Sequence, residues 1–226
     1  TVGAVLRRGK YLIFDFGELK LLSHLRMEGR YGLFRGEDEV EKHTHVRFLF
    51  TDGSELRYRD VRQFGTMDLY RAGEEYREGP LGKLGPEPLD DGFTVAAFRS
   101  LLAGRNMKIK PLLLNQEMIA GLGNIYADEA LFAAGIHPER AASSLSPREI
   151  SRLHGAIRTI LSEAVKAGGS SVKSFVSGQG ETGSYQYRLQ VYGRRGEPCR
   201  RCGGAIRRLV VAGRGSHVCF RCQPHR

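Results

Sequence analysis

Cys199-Arg200-Arg201-Cys202 and Cys219-Phe220-Arg221-Cys222 are two Cys-x-x-Cys pairs, separated by sixteen residues in a chain of 226. Each pair can present two thiolates from one tight turn, and together the turns predict a tetrahedral sulfur site of the kind that structural zinc occupies. The chain has no other cysteines, so the alternative is two disulfides or four idle thiols. The spacing favours one structural Zn²⁺, and cysteines committed to a metal indicate a reducing compartment.

The residues between the cysteine pairs predict a β-hairpin. Residues 205–212 and 216–218 have the pattern of two short strands joined at Arg214, which is flanked by glycines. Residues 194–226 contain nine arginines and one glutamate, a local balance of +8, and the whole chain carries +10 with a pI near 9.7. A small, basic finger predicts a phosphate backbone as partner, with a membrane surface as the weaker alternative. No apolar run reaches membrane-spanning length.

Residues 1–78 predict an antiparallel β-sandwich or barrel. Segments rich in β-branched and aromatic residues alternate with turn signals, at 11–16, 19–22, 30–34, 45–50, 55–58 and 67–70. Asp52-Gly53 supplies a hairpin turn between the fourth and fifth of these segments. The opening residues, Thr1-Val2-Gly3-Ala4-Val5-Leu6, resemble the interior of a fold. We therefore expect the natural protein to begin earlier than this sequence.

Prolines and glycines in residues 79–92 predict a linker, and helices are predicted after it. They cover 93–103, a short stretch from Pro111, and 124–134 with Gly135 as the stop. Ser146-Pro147-Arg148-Glu149 is a capping box that leads into apolar positions 150, 153, 157, 160, 161 and 165, ending at Gly168-Gly169. The predicted fold is α+β multidomain, with a helical domain over 93–190, a polar loop at 168–187 and a zinc finger over 191–226.

Several stretches place charged or aromatic residues beside glycines in a way that packing does not require. Phe64 follows three charged residues, so it could wedge between stacked bases while Arg62 contacts a phosphate or a base edge; the alternative is a phenylalanine in the sandwich core. Lys10 follows two arginines and precedes an apolar strand. Such surroundings lower a lysine pKa and favour proton transfer or imine chemistry, although a surface lysine is the alternative.

Three more stretches are weaker signals. His24-Leu25-Arg26-Met27-Glu28 places two basic groups and a flexible apolar side chain at a strand-to-turn junction, but loops are normally charged. Gly121-Leu122-Gly123-Asn124 places two glycines and a capping asparagine at a helix start, where free backbone amides can bind phosphate. Lys108 and Lys110 add two nearby cations, or are simply solvated.

Together these stretches resemble the formamidopyrimidine-DNA glycosylases, which excise oxidised purines and cut the strand at the abasic site. The motifs follow the family's order along essentially the whole chain: Arg8-Gly9-Lys10-Tyr11, His24-Leu25-Arg26-Met27, Arg59-Asp60-Val61-Arg62-Gln63-Phe64-Gly65, Leu84-Gly85-Pro86-Glu87-Pro88-Leu89, Gly123-Asn124-Ile125-Tyr126, Val191-Tyr192-Gly193-Arg194 and the cysteine pairs. The resemblance implies an N-terminal β-sandwich, a helix-two-turn-helix domain and a zinc finger that grip damaged double-stranded DNA between them. It also implies a monomer in the bacterial cytoplasm, associated with the nucleoid.

The resemblance further implies residue roles. Met27, Arg62 and Phe64 would fill the gap left by the extruded nucleotide, as base flipping requires. The other DNA contacts would be His24, His43, Lys110, Asn124 and Arg214. Glu28, Ser170 and Tyr187 would recognise the base, with the loop closing over it. Lys10 would donate a proton, and Arg214 would assist the later elimination.

One departure from the family concerns its nucleophile, an N-terminal proline followed by glutamate, which this sequence lacks at its start. An α-amino group suits imine formation because its pKa is near ~7.7. Either a leading segment has been removed, which we favour, or the chain binds lesions without cutting them and is inactive. There are two alternative functions. One is an endonuclease VIII-like glycosylase for oxidised pyrimidines, which Met27 with Arg62 and Phe64 disfavours. The other, which the missing proline supports, is a non-catalytic zinc module that binds damaged DNA. Smaller departures are Gln63, where the family usually has a basic residue, and Ser216, where threonine is common.

Overall fold

The computed structural model describes residues 1–170 and 183–225, and it divides into two compact units. The first unit contains Thr1–Gly82 and Lys166–Tyr187, and the second contains Lys83–Val165 and Arg188–Arg226. The boundary after Gly82 falls inside the predicted linker. Of the predicted loop at 168–187, the described residues 168–170 and 183–187 belong with the first unit, whereas the sequence predicts the loop as part of the helical domain.

Two antiparallel sheets make up most of the first unit. Their strands are β1 (Ala4–Arg8), β2 (Tyr11–Asp15), β3 (Leu19–His24), β4 (Arg30–Arg35), β5 (Thr44–Leu49), β6 (Ser54–Arg59) and β7 (Thr66–Arg71). One sheet has the order β1-β2-β3-β7 and the other β4-β6-β5. The sequence predicts β2 to β7. Residues Thr1–Leu6 are interpreted only as the interior of a fold, and β1, which begins at Ala4, is not among the predicted segments.

Aromatic side chains pack the two sheets face to face. The Phe14 ring on β2 stacks on Phe48 of β5, with 6.0 Å between centroids, and meets Tyr31 of β4 edge-on at 5.3 Å. The Tyr31 hydroxyl donates a hydrogen bond of 2.9 Å to Ser23 Oγ on β3. This bond gives the fully buried Ser23 hydroxyl a partner. These contacts confirm the predicted sandwich.

The helices are α1 (Glu74–Arg77), α2 (Val95–Leu102), α3 (Ile109–Leu114), α4 (Asn124–Ala134) and α5 (Pro147–Lys166), with 3₁₀ turns at Pro80–Lys83, Ala142–Ser144 and Tyr185–Arg188. The capping box of α5 is confirmed: the Ser146 amide donates to Glu149 Oε2 at 2.8 Å, and the Glu149 amide donates to Ser146 Oγ at 3.4 Å. Val165 is 70% exposed, so the predicted apolar stripe ends earlier. Among the helices in the described ranges, none has both the length and the apolar character needed to cross a bilayer.

The predicted linker is more ordered than its prolines and glycines indicate. Pro80–Lys83 forms a 3₁₀ turn. In the second unit, the Gly85 amide donates to the Gln116 carbonyl at 2.9 Å, and the Pro86 carbonyl accepts from the Ala120 amide at 3.0 Å. The segment after Lys83 is therefore hydrogen-bonded along the surface of the helical core.

The basic hairpin consists of β8 (Arg207–Val211) and β9 (Arg214–Val218). Val211 pairs with Arg214, which leaves Ala212 and Gly213 as a two-residue turn with φ of 46° and 75°. Positive φ at both positions is the signature of a type I′ turn. The sequence predicts Arg214 at the turn itself, and this is wrong: Arg214 is the first residue of β9, and its side chain is exposed.

Candidate nucleic-acid interface and zinc site

The four cysteine sulfurs converge at the base of the hairpin. Cys202 Sγ lies 3.5 Å from Cys219 Sγ, and Cys199 Sγ lies 3.9 Å from Cys222 Sγ. A disulfide requires about 2.05 Å, so the disulfide alternative does not fit. Two thiolates on one tetrahedral zinc lie about 3.8 Å apart, given Zn–S bonds of about 2.3 Å. The four sulfurs therefore fit a single structural Zn²⁺.

Lys110, predicted as a DNA contact or a solvated cation, is instead buried in the second unit. Its side chain is fully buried, and its ammonium donates to Asp128 Oδ1 at 2.6 Å, Ser216 Oγ at 2.7 Å and the Gly215 carbonyl at 2.9 Å. Burial lowers the pKa of Lys110, Asp128 acts to raise it, and the charge of Arg214 lowers it further. A buried ammonium with these partners cannot contact DNA directly. Lys110 instead fixes the start of β9, the strand that carries Arg214.

Asn124 is the first residue of α4, and Gly123, in an extended conformation, is its N-cap. The sequence predicts Asn124 itself as the cap of this helix, but the asparagine side chain has another partner. Its Nδ2 donates to the Gly215 carbonyl at 3.1 Å, while its Oδ1 is buried and has no hydrogen-bond partner in the described ranges. Asn124 and Lys110 thus bind the same carbonyl, next to Arg214.

Two adjacent carboxylates on α4 attach other segments of the second unit to this helix. Asp128 Oδ2 accepts the His217 amide at 2.8 Å, and Glu129 accepts the amides of residues 190–192 at 2.8–2.9 Å. Neither carboxylate is among the residues predicted from the sequence. A signal was available, because paired acids in an otherwise apolar helix require buried partners.

Lys10 and His24 are neighbours in the first unit. The register of β2 and β3 pairs Tyr11 with His24, whose rings meet edge-on at 4.8 Å, and Lys10 is exposed in the turn just before Tyr11. His24 Nδ1 accepts the Arg26 amide at 3.0 Å. Burial lowers the pKa of His24 to about 4, and the charges of Arg26 and Lys10 lower it too. A neutral ring with Nδ1 as acceptor carries its proton on Nε2, which is then a donor.

Arg62 and Phe64 are exposed together on the loop between β6 and β7. The Arg62 guanidinium carbon lies 4.6 Å from the centroid of the Phe64 ring, a cation–π contact, and Phe64 is 52% exposed. The alternative of a phenylalanine in the sandwich core is therefore wrong. The loop presents a flat apolar ring backed by a positive charge.

Asp60 holds this loop in place. Its buried carboxylate accepts the Arg62 amide at 3.1 Å, the Gly65 amide at 2.8 Å and the Tyr58 hydroxyl at 3.1 Å. Burial acts to raise the pKa of Asp60, but these donors outweigh it, so the pKa lies below its usual value. A side chain at position 65 would place its Cβ 1.7 Å from the Tyr58 hydroxyl, so this turn requires glycine.

The turn that carries Met27 packs against the same tyrosine. The Gly29 amide donates to the Leu25 carbonyl at 3.0 Å, and a Cβ at Gly29 would lie 2.5 Å from the Tyr58 hydroxyl. Met27, at this turn, is 65% exposed, and Glu28 beside it is half-buried. The Met27 turn and the Phe64 loop therefore both pack against the Tyr58 hydroxyl.

The remaining predicted residues are His43, Ser170 and Tyr187. His43 has a φ of 69° and its carbonyl accepts the Asp60 amide at 3.1 Å, which places it beside the Phe64 loop. Ser170 is half-buried and Tyr187 is 78% exposed. Most of the loop predicted to close over the base, residues 171–182, lies outside the described residues.

Comparison with known proteins places the chain in a family. The formamidopyrimidine-DNA glycosylase of Brevibacillus brevis is 60% identical over 223 residues, which is 99% of this chain and 81% of that protein. The chain belongs to the formamidopyrimidine-DNA glycosylase family. The family's N-terminal domain matches residues 1–67, its H2TH domain matches 84–176, and the zinc finger found in FPG and IleRS matches 196–224.

Solved structures of this family agree. Lactococcus lactis Fpg in complex with DNA containing an abasic site superposes with a TM-score of 0.93 at 46% identity, covering 100% of this chain and 83% of that one. MutM in complex with DNA containing carbocyclic 8-oxo-G superposes with a TM-score of 0.92 at 46% identity, covering 99% and 82%. These matches do not favour the endonuclease VIII-like or the non-catalytic alternative.

Proposed function

We propose that this protein is a DNA repair glycosylase and abasic-site lyase that removes oxidised purines, namely oxidised guanine and formamidopyrimidines, from double-stranded DNA. The observation that carries the proposal is the exposed Arg62–Phe64 pair on a loop fixed by Asp60, in a chain of this family. An apolar ring on a rigid loop is suited to enter a base stack. The protein acts as a monomer in the bacterial cytoplasm, associated with the nucleoid.

The wedge consists of Phe64, Arg62 and Met27. Extruding a nucleotide costs a few kcal/mol of stacking and pairing, least at a damaged base. Phe64 stacks on the neighbouring base, Arg62 faces the orphaned base with its hydrogen-bond donors, and Met27 fills the remaining space. All three side chains are exposed, so they can enter the duplex without any core side chain leaving the sandwich.

Phosphates around the lesion are bound by neutral and charged donors. His24 offers Nε2–H as a neutral donor, and Arg214 offers a guanidinium at the start of β9. Asn124 contributes the amino-terminal end of α4, where backbone amides point outward, and His43 lies beside the wedge loop. Lys110 acts indirectly, because its ammonium holds β9, the strand that carries Arg214.

The chemistry is assigned to Lys10 and Arg214. Lys10 is exposed beside His24, where it can donate a proton, and Arg214 assists elimination after base release. Strand cleavage needs an amine nucleophile, which in this family is an N-terminal proline. Glu28, Ser170 and Tyr187 are proposed to recognise the extruded base.

The test separates lesion binding from catalysis. The zinc-loaded protein should bind a duplex with a stable abasic-site analogue at least about tenfold more tightly than the undamaged duplex. A version that carries the family's N-terminal Pro-Glu segment should release 8-oxoguanine and form a covalent adduct with its DNA under borohydride. Equal affinity for both duplexes would overturn lesion recognition, and lesion binding without an adduct would overturn the lyase activity alone.

A further inference from the structure

A second group of metal-type ligands lies in the second unit. His137, Glu139 and His225 offer two imidazole nitrogens and one carboxylate oxygen, and these ligand atoms all lie within 4.8 Å of one another. The two rings meet nearly at right angles, with 4.6 Å between centroids. The group contains no cysteine, so its chemistry differs from that of the sulfur site.

The fold brings these residues together through Gln223. This side chain is buried, donates to the Ile136 carbonyl at 2.9 Å and accepts the Cys219 amide at 3.1 Å. It thereby fixes the chain after the second cysteine pair against the segment between α4 and α5. His225 lies two residues further on and reaches His137, which also stacks on Phe220 at 5.8 Å. The approach of the two histidines is thus built into the packing.

His137 has a buried ring nitrogen whose hydrogen bonding is not satisfied among the described residues. The residue is only 2% exposed, and its Nε2 is buried with no hydrogen-bond partner among the described residues. Its Nδ1 accepts the Glu139 amide in a long bond of 3.3 Å. An orphaned buried ring nitrogen is costly, and a metal ion bound there would remove the cost. The proton would then reside on Nδ1, at the loss of that long bond.

We propose that His137, Glu139 and His225 form a second divalent-metal site, for zinc or an ion of similar preference. Two imidazoles and one carboxylate are a ligand set that zinc accepts, with a fourth position left for water. Bonds of about 2.0–2.1 Å place tetrahedral ligand atoms about 3.4 Å apart, so the side chains must close by about 1.4 Å. His225 is exposed and Glu139 is partly exposed, so both can move.

Lys108 competes for this site. Its ammonium lies 2.5 Å from Glu139 Oε1, and its side chain is 50% exposed. A half-exposed ion pair is weak because water screens it, so a divalent ion can displace the ammonium. This competition gives the site an unusual signature: removing Lys108 should strengthen metal binding, whereas removing a ligand should weaken it.

Cobalt titration of the zinc-loaded protein, residues 1–226, tests the proposal. Bound cobalt is measured by equilibrium dialysis with elemental analysis, and its ligands are identified by absorption spectroscopy. The wild type should bind one additional Co²⁺ per chain, with the visible d–d bands of a tetrahedral nitrogen and oxygen site and no thiolate charge-transfer bands. His225→Gln should weaken this binding about tenfold or more. Lys108→Met should tighten it about three- to tenfold. His45→Gln, at an exposed histidine of the first unit, should leave it unchanged.

Three outcomes would overturn the proposal. They are no second equivalent of cobalt in the wild type, equal cobalt binding by wild type and His225→Gln, or thiolate bands that place the added ion at the cysteines. Both informative variants change exposed or half-exposed side chains, so they should fold; the far-ultraviolet circular dichroism of each variant verifies this.

Discussion

Asp128 and Glu129 are consecutive residues of α4, yet they hold two different segments of the second unit. Asp128 pairs with Lys110 and accepts the His217 amide, which fixes β9, while Glu129 accepts three amides in residues 190–192. Both carboxylates are buried. One turn of one helix therefore determines where Arg214 lies and where the basic finger begins.

Replacing Lys110 by methionine should lower the free energy of unfolding by about 3–5 kcal/mol, because Asp128 would remain buried without its cation. Urea denaturation of the zinc-loaded protein measures this loss. The double variant Lys110→Met with Asp128→Asn should recover more than half of it, because no uncompensated charge remains. A double variant no more stable than the single one would show that the ion pair is not the origin of the loss.

Replacing Phe64 by alanine should separate recognition from stability. The side chain is half-exposed, so unfolding free energy should fall by less than about 1 kcal/mol, whereas the preference for abasic over undamaged duplex should fall about tenfold. Fluorescence anisotropy measures both affinities. Leu33→Ala, at a leucine of β4 that is 64% exposed, serves as control and should keep the preference. Equal losses for the two duplexes would assign Phe64 to non-specific binding.

Gly65→Ala should destabilise the sandwich by about 1–3 kcal/mol, because the new Cβ would lie 1.7 Å from the Tyr58 hydroxyl. Removing that hydroxyl by Tyr58→Phe should make the added loss from Gly65→Ala smaller, although not zero, since the ring carbon would still lie 2.9 Å away. Thermal denaturation of Gly65→Ala, Tyr58→Phe and the double variant measures how far the two losses of stability depend on each other. Gly92→Ala is the control, since a Cβ there has no neighbour within 4 Å. Purely additive losses would refute the clash.

The pKa of His24 should be about 4 in the folded protein, because burial disfavours the charged ring and Arg26 and Lys10 repel it. Since this lies below the unfolded value near ~6.5, the contribution of His24 is fully present above pH 6.5 and is lost as the pH falls towards 4. Imidazole NMR measures the pKa, and Arg26→Gln should raise it. A wild-type pKa of ~6.5 would contradict the burial of the His24 ring.

Removing zinc should unfold the cysteine-framed hairpin while the sandwich survives. Phe132, Val191, Cys199, Ile206 and Cys219 form a small cluster of buried side chains around the cysteines, and a cluster of this size leaves much of the stability of the finger to the metal. After chelation, amide NMR should show collapsed hairpin signals and dispersed signals from β2 and β3, and lesion binding should be lost. Undiminished binding by metal-free protein would separate the finger from DNA recognition.

Local signals predict much of this fold. The capping box, the stop at Gly135 with its φ of 71° and the β-branched and aromatic segments of β2 to β7 are each local to a few residues, so sequence alone locates them. The cysteine pairs are equally local, because ligand spacing is set within one turn. The motif around Phe64 predicts a residue that can enter a base stack, and the structure shows the exposed ring that this role would require.

Long-range pairing is what the sequence could not supply. Lys110 looks like a solvated cation, but its partners Asp128 and Ser216 lie 18 and 106 residues further along the chain. The position of Arg214 depends on hairpin register, which a turn of Ala212 and Gly213 shifts by one residue from the predicted arrangement. His137 and His225 are 88 positions apart, and the Gln223 hydrogen bond to the Ile136 carbonyl helps to bring them together.

The Asp60 carboxylate has one further consequence. Because three donors already restrain the wedge loop, its conformational entropy is lost when the protein folds and not when it meets DNA. A preorganised probe can test successive base steps for ease of opening without first having to order itself. The speed of searching along undamaged DNA would then be limited by the duplex, whose stiffness varies from step to step, and not by the protein.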